Sequence, residues 1–126
     1  MTARLDPSAK TAVEANLREL AKRPAVYIKV SELMRITDGK PSTDPAFYKP
    51  LLDYLFHTFG EDKLIFGSDW PNGPAADNLP TIVQIVRDYF YAKGQAAVEK
   101  YFWKNSLAAY RWIRRDPRQP QLAGRA

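Results

Sequence analysis

In the run Phe66-Gly67-Ser68-Asp69-Trp70-Pro71, a carboxylate stands where a β-forming apolar segment gives way to a loop. In a parallel α/β fold, active sites are assembled at the carboxyl ends of the strands. Side chains alternate along a strand, so Ile65, Gly67 and Asp69 are expected on one face, with Leu64, Phe66 and Ser68 on the other, packed under helices. Gly67, two residues before the carboxylate, leaves room on the inner face for a ligand. Asp69 there has the chemistry of a metal ligand or of a general base toward water. The plainer alternative makes it a loop cap that accepts nearby backbone amides.

Lys29 is the second residue out of keeping with its surroundings. It interrupts the apolar strand Ala25-Val26-Tyr27-Ile28-Lys29-Val30-Ser31, where Val26, Ile28 and Val30 share one face and Tyr27, Lys29 and Ser31 the other. A lysine on a buried strand face is costly unless it is paired or solvated. Either the Tyr-Lys-Ser face lines a pocket for an anionic substrate, or the strand is an edge and Lys29 reaches water along its stem. His57 is the sole histidine, and one histidine cannot build a metal cluster, so it reads as a surface or boundary residue. No GxSxG, phosphate-binding loop or HExxH pattern is present.

These residues need strands and helices to hold them. Asp6-Pro7 opens a helix with an apolar stripe of Val13, Leu17, Leu20 and Ala21, and Pro24 stops it. Strand 25–31 follows, then a loop over 34–43 marked by Asp38-Gly39 and Pro41. Asp44-Pro45 opens a second helix, with Phe47, Leu51, Leu52, Leu55, Phe56 and Phe59 expected on its buried side and Gly60 ending it. Strand 63–68 comes next, then a polar loop over 69–78. A third helix starts near Leu79 with Ile82, Val83, Val86 and Phe90 on one face, and Gly94 breaks it. Residues 95–113 read as helical again, in two pieces around Asn105, after which the pattern dissolves. Apolar strands alternating with amphipathic helices predict βαβ units and a parallel sheet.

Composition narrows the classes. The 126 residues, 45% hydrophobic and 13% aromatic, fit one globular domain. Of the net charge of +5, residues 114–126 carry +3, from Arg114, Arg115, Arg118 and Arg125 against Asp116. The excess therefore reads as a solvated, disordered basic tail, and no nucleic-acid partner is expected. Without cysteines, thiolate metal sites and disulfides are excluded. A cytoplasmic setting is expected, with no membrane span and no signal peptide in the opening Met-Thr-Ala-Arg-Leu-Asp-Pro.

The segment from Phe59 to Pro71 closely resembles the last barrel strand of the amidohydrolase-related hydrolases, and its Asp-Trp-Pro ending is most similar to the lactonase-like branch. Val26-Tyr27-Ile28-Lys29-Val30-Ser31 looks like the preceding strand of that family, with Glu32 where a glycine is usual. Phe102, Asn105 and Tyr110 are similar to its terminal helix, in which the asparagine locks the helix to the barrel.

The resemblance implies a (β/α)₈ TIM barrel in which residues 1–113 form the C-terminal portion: two parallel strands with their amphipathic helices. It implies hydrolysis with water as nucleophile, Asp69 as catalytic base or metal ligand, and Tyr27, Lys29, Ser31 and Trp70 facing a small-molecule substrate. The family's His-x-His and later histidines have no counterpart here, and a full barrel needs about 250 residues. Zinc is therefore implied for the complete barrel only, and none is expected in the isolated chain. Three roles stay open: an inactive piece of the hydrolase, a non-catalytic self-associating module, or one half of a split enzyme. The expected partner is a second copy or a chain supplying the N-terminal half-barrel.

Overall fold

The computed structural model describes residues 6–72 and 77–119. Two strands form its centre, β1 (Ile28–Val30) and β4 (Leu64–Phe66), paired in parallel with Lys29 level with Ile65. Between them lie a small hairpin, β2 (Ile36–Thr37) and β3 (Lys40–Pro41), and helix α2 (Pro45–Phe59). Helix α1 (Pro7–Ala21) precedes β1. After β4 come α3 (Leu79–Tyr91), α4 (Gln95–Glu99), a π-helical turn (Lys100–Lys104) and α5 (Asn105–Ala109). The expected parallel α/β fragment, two strands with their helices, is what forms.

Local chemistry accounts for the helix boundaries. The Asp6 carboxylate accepts the amides of Ser8 and Ala9 at 2.9 and 3.0 Å, and Pro7 follows at the first helical position. Asp44 and Pro45 repeat the device on α2, and Gly60 closes that helix at φ 74°, where a side chain would be strained. The Lys63 ammonium donates to the carbonyls of Ala21 and Arg23, covering the end of α1. Charge favours this placement, because a helix C-terminus is electronegative.

The core lies between the helices and one face of the two-stranded sheet. Val30 and Leu64 are buried there, with Ile28 and Phe66 packed against Leu52, Leu55, Ile82, Val86, Phe90 and Tyr101. Phe90 and Tyr101 stack at 3.8 Å with an interplanar angle of 13°, and Phe66 meets Tyr101 edge-on. The Tyr101 hydroxyl is buried with no hydrogen-bond partner among the described residues, and burial pushes its pKa up. On the α2–α3 surface, Asp53 gathers Lys49, Lys93 and the Tyr89 hydroxyl. The Lys49 and Tyr89 hydrogen bonds hold its carboxyl down at about 2.

Several element-level expectations need correction. On α2 it is Tyr48 that is buried, whereas Phe47 is exposed. The Tyr48 hydroxyl donates to the Ser42 carbonyl at 2.6 Å and accepts the Arg35 amide at 3.3 Å, so the helix turns its polar-tipped ring toward the hairpin. Helix α1 contributes only half-buried Leu17 and Ala21 to the core, and Leu20 is exposed. Segment 34–43, read as a loop, folds into the β2–β3 hairpin because Asp38 and Gly39 both take positive φ, the geometry of a tight hairpin turn. In residues 114–119 the Gln119 side chain accepts the amides of Arg115 and Asp116 in a local turn, which leaves the expectation for the tail as it was.

Among the described residues, Asn105 is the one buried polar or charged side chain. Its Nδ2 donates to the Glu61 carbonyl at 2.7 Å and the Leu64 carbonyl at 2.8 Å. The β1 pairing uses the Lys63 carbonyl, Ile65 and the Gly67 amide. The Leu64 carbonyl therefore points away from β1, and Asn105 binds the outer edge of β4. Nearby, the Lys100 ammonium pairs with Glu61 and Asp62 and holds the same turn from outside. Replacing Asn105 by alanine strands two acceptors against an apolar core, so Asn105→Ala should cost about 2–4 kcal/mol in urea-induced unfolding. A loss below about 0.5 kcal/mol would mean that water takes over both carbonyls.

Candidate active site

Beyond β1 and β4 the two chains run out side by side at their carboxyl ends. The Val30 carbonyl still accepts the Gly67 amide at 3.2 Å, so the pairing extends one residue past β4. Lys29, Ser31 and Gly67 lie together on the face turned away from the core. A Cβ built on Gly67 would stand 2.6 Å from Lys29 Cε and 2.8 Å from Ser31 Cβ. The ligand space expected above Gly67 is therefore filled by this chain's own Lys29 stem and Ser31.

Ile65 occupies the same face. It is only 5% exposed, yet it stands apart from the main apolar cluster. Lys29 is exposed and forms no ion pair among the described residues, so the expected cost of burying its charge does not arise. Tyr27 and Ser31 are half-buried at either end of the strand.

Asp69 follows β4 by three residues and is half-buried. Its φ is 62°, a left-handed conformation that costs about 1–2 kcal/mol in a residue with a Cβ. Strand alternation therefore stops before Asp69, and the direction of its side chain does not follow from residues 65 and 67. The Asp69 carbonyl accepts the Asn72 amide at 2.8 Å, closing a turn. Capping falls instead to Ser68, whose hydroxyl accepts the Trp70 amide at 3.2 Å; among the described residues the Asp69 carboxylate accepts no backbone amide. Trp70 is 57% exposed, and the Trp70–Pro71 bond is cis.

Two features of the strand ends were missed by sequence reasoning. The hairpin that follows β1 is anchored by Tyr48, with Leu33 and Met34 buried beneath it. Its signal, Asp38-Gly39, was visible but was read as a loop marker. Second, Glu32 has φ 49°, and its carbonyl accepts the Arg35 guanidinium. His57 is exposed on α2 with an edge-on contact to Phe56 and takes no part in the site.

For zinc the donor set falls short. Among the described residues no three histidine, cysteine or acidic side chains converge, and Asp69 alone cannot fill a tetrahedral site. No helix among them is long and apolar enough to cross a membrane.

Parallel strands with their helices, leading at the end of β4 into a loop that bears a carboxylate, fit a portion of a (β/α)₈ barrel. The amidohydrolase family model matches residues 4–112, and the chain belongs to that family. It is 31% identical over 106 residues to an L-fucono-1,5-lactonase of Burkholderia multivorans, a match covering 82% of this chain and 36% of that protein. Among solved structures, an amidohydrolase from Burkholderia multivorans superposes with a TM-score of 0.64 at 25% identity, over 86% of this chain and 39% of that one. An amidohydrolase 2 from Bifidobacterium longum subsp. infantis gives 0.53 at 26% identity, over 86% and 36%. The chain thus spans little more than a third of the length of the proteins it matches.

Glu32, where the family resemblance leads one to expect glycine, holds the backbone conformation that glycine adopts without strain. Relief of about 1–2 kcal/mol should exceed the entropy lost through a freer unfolded chain, about 0.5–1 kcal/mol. Glu32→Gly is expected to raise the thermal midpoint slightly, and Glu32→Val to lower it. Calorimetry on the two variants checks the sign.

Proposed function

We propose that this chain is the C-terminal portion of a lactonase-like hydrolase, in which water attacks the carbonyl of a lactone or amide-type substrate. Asp69 acts as general base or as one ligand of a divalent metal, and Lys29, Tyr27, Ser31 and Trp70 face the substrate. The observation that carries this reading is the exposed Lys29, without an ion-pair partner among the described residues, on the face of a parallel pair turned away from the core, next to the strand that leads into Asp69. An unpaired cation on that face suits a substrate with a carboxylate or another anionic group. The likeness to a sugar lactonase supports a lactone over other carbonyl substrates.

The histidines that complete such a site are expected from another polypeptide segment. The purified chain should bind less than stoichiometric zinc and show no lactone hydrolysis above background. Metal analysis and a panel of sugar lactones test this, first on the chain alone and then with a histidine-bearing N-terminal half-barrel added. Turnover should arise only in the mixture, and Asp69→Asn should lower it by about 10²-fold or more. Hydrolysis by the chain alone that vanishes in Asp69→Asn would show a complete site and reverse the fragment reading.

Self-association is favoured by the state of the strand edges. On β4 the amide and carbonyl of Phe66, and on β1 those of Lys29, have no partner among the described residues. Open edges of this kind recruit further strands. A two-fold dimer is the simplest closure, and sedimentation velocity should show mass rising with concentration across the micromolar range. A single monomeric species throughout would eliminate strand-edge pairing between copies.

A further inference from the structure

Glycine at position 67 calls for an explanation that its backbone does not supply. Gly39, Gly60 and Gly94 all take positive φ, but Gly67 does not, so any residue could adopt its conformation. What Gly67 lacks is room. A Cβ there would lie 2.6 Å from Lys29 Cε, 3.1 Å from Lys29 Cγ and 2.8 Å from Ser31 Cβ. The Lys29 Cα is level with Ile65, two residues earlier on the neighbouring strand. Both Cγ and Cε of Lys29 nevertheless reach Gly67, so the stem leans forward along the strand direction.

We propose that Gly67 is a positioning residue: its missing side chain forms a slot that lays the Lys29 stem along β4 and delivers the ammonium to the carboxyl-end mouth. The slot has a rigid wall and a soft one. Ser31 Cβ is fixed by its own backbone, so a Cβ at position 67 must push the strand ends apart. The Lys29 stem is flexible and would be displaced to another rotamer at small cost, but the ammonium would then point elsewhere. Stability and placement of the charge thus depend on different neighbours of the same glycine. For a substrate whose anionic group is read by Lys29, which is the reading proposed above, this geometry fixes how far along the barrel axis that group can bind.

The different neighbours make the two roles separable. Gly67→Ala should lower the thermal midpoint by about 5–10 °C, through overpacking against Ser31. Gly67→Ala combined with Ser31→Gly should recover most of that loss, which keeps the test available if the single variant fails to fold. Charge placement is read by NMR on lysine-labelled protein, with the Lys29 signals assigned through Lys29→Arg. The unaltered chain should show a nuclear Overhauser contact between the Lys29 ε-protons and Gly67 Hα. Titration with D-gluconate, a monoanionic sugar acid, should shift the Lys29 ε-signal.

In Gly67→Ala/Ser31→Gly the gluconate response should fall about threefold or more relative to Ser31→Gly alone, although the fold is restored. An equal response in these two variants, or no Lys29–Gly67 contact in the unaltered chain, overturns the proposal. If the contact is present but gluconate moves no lysine signal in any protein, the anionic-substrate reading fails and the slot stands as a packing feature alone.

Discussion

Asn105 makes the rest of the arrangement sustainable. A parallel pair as short as β1–β4 has too few backbone hydrogen bonds to persist without support, and β4 also presents an outward carbonyl at Leu64. Leaving that carbonyl and its neighbour at Glu61 unpaired beneath the helices would cost a substantial part of a small domain's stability. One side-chain amide with two donors meets both, and the same two bonds bring the C-terminal helices against β4. Lys100, reaching Glu61 and Asp62 from the adjacent turn, adds charge outside the seal. The tight Phe90–Tyr101 stack lies one helical turn away and depends on the same docking.

With β4 held in this way, its two faces take unlike roles. One is covered by helices and carries Leu64 and Phe66. The other carries Ile65, Gly67 and the Lys29 stem, and it stands apart from the main apolar cluster although Ile65 is itself buried. Such a face suits a surface that expects more sheet around it. Membership in the amidohydrolase family, over little more than a third of its relatives' length, gives that asymmetry its context.

Much of this was legible in the chain. Asp-Pro before each of the first two helices marks their starts, because the carboxylate accepts the free amides and proline supplies the first helical φ. Gly60 marks where α2 ends. Two-residue alternation sorted Leu64 and Phe66 from Ile65 and Gly67 correctly. What could not be read follows from physics that periodicity does not encode. Phe47 and Tyr48 are adjacent and similar in apolar content; the choice between them is made by a hydrogen bond from the Tyr48 hydroxyl to Ser42, on a segment whose path the sequence left undefined. Alternation also gives no direction at Asp69, since it presumes extended backbone and the chain there is left-handed. Gly67 was read as vacancy because nothing in the sequence shows that a lysine on the neighbouring strand leans two residues forward.

The π-helical turn at Lys100–Lys104 bears on how this chain can tolerate change in length. A π turn is an α-helix carrying one surplus residue. Removing a residue between Lys100 and Lys104 would give the helix more regular hydrogen bonding. The wider turn absorbs the surplus residue, so the helix beyond it would keep its phase after that removal. Asn105 would then still face Glu61 and Leu64. The irregularity is therefore the place where this helix can lose one residue while the polar clamp beyond it keeps its aim, which a regular α-helix of the same chain could not do.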